Sequence, residues 1–227
     1  MGRDHQPKAR QLARQEKKEN LHESYPRILI VSEGSKTEPL YFRNLCAEFR
    51  LPATKIIVKP CESGTAPIQV VKYAIELFKK GDAKKGIRPK SFDQIYAVFD
   101  RDDHESYHDA LQIAASNNGK LSNDEKQQIP FKAIASVPSF ELWLLLHYQD
   151  VQAPVRRDEV MRRLKKHIPD YTKGYSGAFA MTWQHSNIAK ERAERLAARF
   201  TAKDEPEPFT AIFELVKVLT TIRRSDP

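Results

Sequence analysis

Two cysteines, Cys46 and Cys61, are all that this chain of 227 residues contains. They are too few for a disulfide framework or a zinc knuckle, and they fit a reduced, cytoplasmic protein. No apolar stretch approaches the roughly 20 residues that span a bilayer. The densest, Leu142-Trp143-Leu144-Leu145-Leu146, is five residues long, so no membrane partner is expected. The segment from Met1 to Glu23 is polar and charged and has no apolar secretory core, which argues against export. Internal repeats and low-complexity tracts are lacking too. What the chain does have is 40% apolar and 30% charged residues, the balance of a folded globular protein. Its length supports one substantial core with at most a small appended unit. A net charge of +8 raises the expectation of a polyanionic partner, because lysine and arginine gain affinity by displacing phosphate counterions.

The order of hydrophobic patterns predicts an α/β fold. Residues 1–24 carry Arg3, Lys8, Arg10, Arg14, Lys17 and Lys18 without an apolar stripe. They read as a flexible basic arm, with a phosphate-binding arm as the sharper alternative. Short apolar runs at 27–31, 55–59, 94–99 and 131–136 have the length and β-branched or aromatic content of buried parallel strands. Helices are expected at 37–49, 66–80 and 106–118, the first with Thr37 as N-cap and Pro39 in its opening turn. This alternation implies βαβ units. An apolar helix then opens at Pro138-Ser139-Phe140-Glu141. From Val155 onward the pattern is helical, at 156–167, 186–200 and 210–223, with breaks at Ile168-Pro169-Asp170, Gly174 to Gly177 and Glu205-Pro206-Glu207-Pro208. The expectation is a four-stranded, mainly parallel sheet flanked by helices over residues 25–150, with a helical extension over 151–227 packed on it.

Four acidic residues fall at strand ends. Glu33 follows the first strand, Asp100 ends the third, and Asp102 and Asp103 come immediately after. In open α/β sheets the functional crevice lies outside the carboxyl ends of the strands, so Glu33 and Asp100 can converge. Clustered carboxylates repel unless a proton or a cation neutralises them, which points to a hard divalent metal such as Mg²⁺. If the segment stays extended, Asp100 and Asp102 face one way and share that cation, while Asp103 points elsewhere and can cap the next helix. His104 is a ligand, a proton shuttle or a solvated loop residue, and it stays outside the candidate metal set of Glu33, Asp100 and Asp102.

Around these acids, Gly34 lets the chain turn sharply after the strand. The amino end of the next helix, with Lys36 and Thr37, suits an anionic group. Glu38 is either a dipole partner in the first helical turn or a member of the site. Glu141 is either a first-turn residue capped by Ser136 or Ser139, or a second-metal ligand or proton acceptor. Lys173, in an irregular stretch, either stabilises charge on a phosphate or is plain surface. The segment 156–166 sets six cations, Arg156, Arg157, Arg162, Arg163, Lys165 and Lys166, against two acids. It is a polyanion-binding surface or a solvated face.

In order and spacing these motifs resemble the RloB family of bacterial proteins, within the broader Toprim fold group. The resemblance rests on Glu33-Gly34-Ser35-Lys36-Thr37-Glu38 with Tyr41-Phe42, and on Phe99-Asp100-Arg101-Asp102. It rests further on Ser139-Phe140-Glu141-Leu142-Trp143-Leu144-Leu145-Leu146-His147 and on Pro208-Phe209-Thr210. It implies a Toprim or Rossmann-like core in which a glutamate after the first strand and an Asp-x-Asp after the third hold Mg²⁺ or Mn²⁺ for phosphodiester chemistry. On this chain those are Glu33, Asp100 and Asp102. It also implies a place in restriction-modification or phage-defence loci, with abortive infection as an outcome, often beside an AAA or SMC-like ATPase. Topoisomerases of that fold group need a nucleophilic tyrosine on a separate domain, for which the chain has no room. Primases need a zinc module, which the cysteine count excludes. What remains resembles the small Toprim ribonucleases and the overcoming-lysogenisation nucleases.

The expected protein is therefore a Mg²⁺-dependent nuclease acting on DNA or RNA. Glu33, Asp100, Asp102, Glu38, Glu141 and Lys173 would carry the chemistry, and Lys36 with the cations of 156–166 would hold the strand. The alternative is a non-catalytic, nucleic-acid-binding sensor or adaptor of a defence ATPase. A phosphotransfer receiver fits less well, since it would want paired aspartates where Glu33-Gly34 stand.

Overall fold

In the computed structural model, residues 25–102, 104–199 and 207–222 are described. The expected basic arm over 1–24 and the capping role of Asp103 lie outside the described residues. The run Ile28-Leu29-Ile30-Val31 opens strand β1 (Ile28–Ser32), and all four side chains are inaccessible to solvent. Branched aliphatic residues suit this place because their stiff rotamers pack well on a pleated surface that is covered on both faces. β1 pairs in parallel with β2 (Ile56–Pro60) on one side and with β3 (Gln94–Asp100) on the other. β3 pairs in parallel with β6 (Phe131–Val137). The chain leaves β1 through α1 (Thr37–Glu48) to β2, and returns through α2 (Pro67–Lys80) to the opposite side of β1 as β3.

Among the described residues the sheet has five strands rather than the four expected, and it is mixed. The fifth, β7 (Phe209–Thr210), lies antiparallel against the end of β6. Two residues carry no periodic pattern, so no strand was legible there. The pairing is held by a buried Ser136–Thr210 hydroxyl contact of 2.9 Å and by the Ala211 N–H donating to the Ala135 carbonyl at 2.8 Å. A small hairpin, β4 (Leu121–Ser122) and β5 (Gln128–Ile129), follows α3 (Tyr107–Asn117) and was equally silent in the pattern.

Side chains alternate across the sheet with the period of a strand. Leu29, Val31, Ile95, Ala97 and Phe99 join one apolar cluster with Val70, Val71 and Ala74 of α2 and Ala110 and Ala114 of α3. Ile28, Ile30, Tyr96 and Val98 join the other with Tyr41, Phe42 and Leu45 of α1. That second cluster also takes in α4 (Glu141–Leu146), α5 (Arg157–His167), α6 (Ala178–Trp183), α7 (Ser186–Ala198) and α8 (Ile212–Thr221). α4 is apolar all round after Glu141, and Leu142 to Leu146 are wholly buried, as expected of a helix covered on every side. Its Trp143 indole N–H donates to the Tyr41 hydroxyl at 2.9 Å. No helix among the described residues is long and apolar enough to cross a membrane.

Candidate metal centre and phosphate-binding rim

The order β2-β1-β3 makes the junction of β1 and β3 the point where successive crossovers diverge. Ligands of open α/β sheets gather at such a point, outside the carboxyl ends of the strands. Glu33 and Asp100 stand on its two sides. The Glu33 N–H donates to the Val98 carbonyl at 2.8 Å. Its carboxylate in turn accepts the Asp100 N–H at 2.9 Å. Residues 67 positions apart are thus stapled together.

A cavity of about 410 Å³ opens here, lined by Glu33, Glu38, Asp100 and Glu141 among others. Asp100 is 5% exposed, and burial pushes its carboxyl well above the usual carboxylate range, with the Glu38, Glu33 and Glu141 charges adding to the rise and Arg157 opposing it. Glu38, in the first turn of α1, is pushed up to about 7, by burial first and then by the Glu141 and Glu33 charges. Burial also raises Glu33; the Asp100 amide lowers it, Asp102 raises it, and Arg157 and Lys173 lower it. Glu141 begins α4, and both its oxygens are engaged: the Ser139 hydroxyl donates at 2.7 Å and the Tyr171 hydroxyl at 3.2 Å. The expected capping of α4 by Ser136 or Ser139 is not found: its N-cap is Phe140, without a side-chain cap bond, and Ser139 bonds Glu141 instead. Gly34 is needed for close approach, since a Cβ there would collide with the Glu38 carboxylate.

Asp102 departs from the extended geometry expected of it. Its φ is +40°, so the backbone turns after Asp100 instead of staying extended, yet both carboxylates reach one guanidinium, that of Arg157, whose Nη2 lies 3.9 Å from Asp100 Oδ2. Asp102 forms an ion pair with Arg157 at the start of α5. The turn brings a new trio together: ligand atoms of Glu33, Asp102 and His104 lie within 4.8 Å of one another. His104 is therefore in the constellation from which the sequence reading left it out. No sequence signal could have placed it, because its position depends on the left-handed turn at Asp102.

The basic elements divide. Lys36 and Lys173 are exposed on the rim of the acidic cavity. Their loops are joined where the Gly174 N–H donates to the Thr37 hydroxyl at 2.9 Å. Thr37 is thus the first helical residue and a loop anchor rather than the expected N-cap, a position Lys36 takes. Gly174 has φ +85°, and a Cβ there would meet Lys36 Cβ at 2.9 Å. Within 156–166, Arg157 turns toward the acids instead of outward. Arg162 and Arg163 are drawn to Glu159 at 2.7 and 2.6 Å. Arg156, Lys165 and Lys166 face solvent. Cys61 and Thr65 also line the cavity, and nothing in their sequence neighbourhood marked them.

Carboxylate oxygens with one imidazole make a donor set that fits a small divalent cation, and such a cation would relieve the mutual repulsion of Glu33, Glu38 and Glu141 around Asp100. Fold and site together define an α/β protein with a mostly parallel sheet that gathers acidic side chains at the carboxyl ends of its two central strands. The chain belongs to the RloB-like protein family, whose model matches residues 28–219, from β1 to α8. No significant similarity to a curated protein or to a solved structure was found.

Proposed function

We propose that this protein is a divalent-metal-dependent nuclease of the Toprim kind, hydrolysing phosphodiester bonds of DNA or RNA in bacterial phage defence, with an ATPase as its working partner. The single observation that carries the reading is the trio of Glu33, Asp102 and His104 at the strand junction, within 4.8 Å of one another and beside the buried Asp100. Glu33, Asp102 and His104 would hold Mg²⁺ or Mn²⁺, with Asp100 behind them. A cation bound there supplies Lewis acidity and neutralises charge on the scissile phosphate.

The chain's own residues have separable tasks on this reading. Glu38, with a carboxyl at about 7, exchanges a proton near neutral pH and is the best-tuned general acid or base of the set. Glu141, held by Ser139 and Tyr171, is fixed in place rather than free to swing. Lys36 and Lys173 on the rim meet phosphate oxygens as the strand enters. Arg156, Lys165 and Lys166 extend the cationic surface along α5. The net charge of +8 despite an acidic pocket is the distribution that draws a polyanion to a metal site.

The test is cleavage of tRNA, single-stranded DNA and duplex DNA by purified protein with Mg²⁺ or Mn²⁺. Activity should vanish in Asp100→Ala with Asp102→Ala; activity that survives the pair sinks the reading. A sensor or adaptor without turnover is the competing reading, favoured by the Arg157–Asp102 ion pair, which neutralises part of the acidic set internally. It predicts salt-dependent binding of nucleic acid and no cleavage with either metal.

A further inference from the structure

Arg157 stands between two cavities. One is the acidic cavity of about 410 Å³. The other, of about 970 Å³, mixes charges along its wall: Arg101, His104 and Arg156 with Asp102, Asp158 and Glu207. Of the residues lining these two cavities, Arg157 alone is common to both. Its Nη1 bonds the Asp102 carboxylate and its Nη2 lies 3.9 Å from Asp100 Oδ2. Asp102 is also one of the three residues placed to hold a metal. One carboxylate is therefore claimed by two cations, a guanidinium from the chain and a divalent ion from solution. The Arg157 side chain is 34% exposed, so it can leave Asp102 without disturbing the core.

We propose that Arg157 is an exchangeable counter-cation, displaced from Asp102 by the incoming divalent ion and then turned into the larger groove to bind a phosphate of a nucleic-acid strand. This rests on the metal-site reading above and adds an order of events to it. A unit charge shared between a guanidinium and a dication satisfies neither fully, so metal binding loosens Arg157. The planar guanidinium is suited to bidentate capture of phosphate, which gives it a second partner in the groove. Metal and strand then promote each other's binding, since coupling between two equilibria is reciprocal. The dividing side chain leaves the boundary, and the two cavities become one channel.

Two binding measurements test this without turnover: Mn²⁺ titration followed by electron paramagnetic resonance, and anisotropy of a fluorescent phosphorothioate single strand with and without Mn²⁺. Both are made on the full chain, on Arg157→Met and on Arg157→Lys. Arg157→Met should bind Mn²⁺ more tightly than the parent, on the order of fivefold, the equivalent of a partly exposed ion pair. Mn²⁺ should raise strand affinity in the parent and no longer do so in Arg157→Met. If Arg157→Met does not fold, Arg157→Lys carries the test: its single ammonium does not span Asp102 and Asp100 as the two guanidinium nitrogens do, so Mn²⁺ must still bind tighter than in the parent. Equal or weaker Mn²⁺ binding in these variants, with the parent still binding, overturns the role of Arg157 and leaves the metal site standing. A parent that binds no Mn²⁺ removes both.

Discussion

Glu38 and His147 are buried ionisable residues whose folding costs run in opposite directions with pH. The Glu38 carboxyl sits at about 7 in the folded chain, against about 4.3 in an unfolded one. Between those values the folded state holds the extra proton, so stability declines as pH rises through the window. His147 is 2% exposed; its Nδ1 lies 2.8 Å from the Trp143 carbonyl, and its Nε2 has no hydrogen-bond partner among the described residues. Burial lowers it to about 4, so between about 6.5 and 4 the unfolded chain holds the extra proton and stability declines as pH falls. The two slopes oppose each other in the parent and should be unmasked one at a time. Relative to the parent, metal-free Glu38→Gln should gain about 3 kcal/mol on going from pH 4 to pH 8, and His147→Leu should gain about as much on going the other way. Urea unfolding across that range reads both, and parallel profiles for parent and variants would refute the assignment. At this scale the sequence was informative where a residue ends an apolar run, as Glu33 and Asp100 do. It was uninformative where a side chain's direction hangs on one backbone angle, as for His104 behind Asp102.

Among the elements, α4 shows how a site can be supported from below. Its first residue, Glu141, faces the cavity, and its next five are wholly buried. Trp143 ties the helix to α1, the element that carries Glu38, through the Tyr41 hydroxyl. Trp143→Ala should cost about 3–5 kcal/mol in urea unfolding, the range for removing a buried large aromatic. Trp143→Phe should cost less but leave the Tyr41 hydroxyl short of a donor. A loss under about 1 kcal/mol for the alanine variant would mean that the site collapses readily and that α4 is not a rigid base. The unbroken apolar runs of the parallel strands and the helices of ten residues or more could be read, because a doubly buried strand stays apolar throughout and a helix's buried face recurs every 3.6 residues. β7, β4 and β5 are two residues each, and α6 is six, too short for a period to repeat. The cations of α5 could be counted from the sequence, but their division between the acids, Glu159 and solvent is a matter of helix rotation and could not.

For the whole molecule the arrangement is one of opposed electrostatics: a cationic chain folded around a pocket of carboxylates. The two apolar clusters are complete without a metal, so removal of divalent ions by a chelator should leave the fold intact and, on the proposed nuclease reading, abolish cleavage. Addition of Mn²⁺ at about 100 times its dissociation constant should stabilise the parent by about 2.7 kcal/mol through mass action. Asp102→Asn should lose most of that increment while unfolding normally without metal. Thermal or urea unfolding with and without Mn²⁺ measures both, and an equal increment in the variant would place the ion elsewhere.

Glu33 is tethered to the amide of the neighbouring strand, and on the proposed metal-site reading this bears on which ions would fit. A carboxylate fastened to β3 cannot retreat to make room, so the lateral spacing of two adjacent strands acts as a gauge of ionic radius. Small ions with metal–oxygen distances of about 2.0–2.1 Å should seat there, whereas Ca²⁺, which needs about 2.3–2.6 Å, would have to dilate a frame that the sheet keeps stiff.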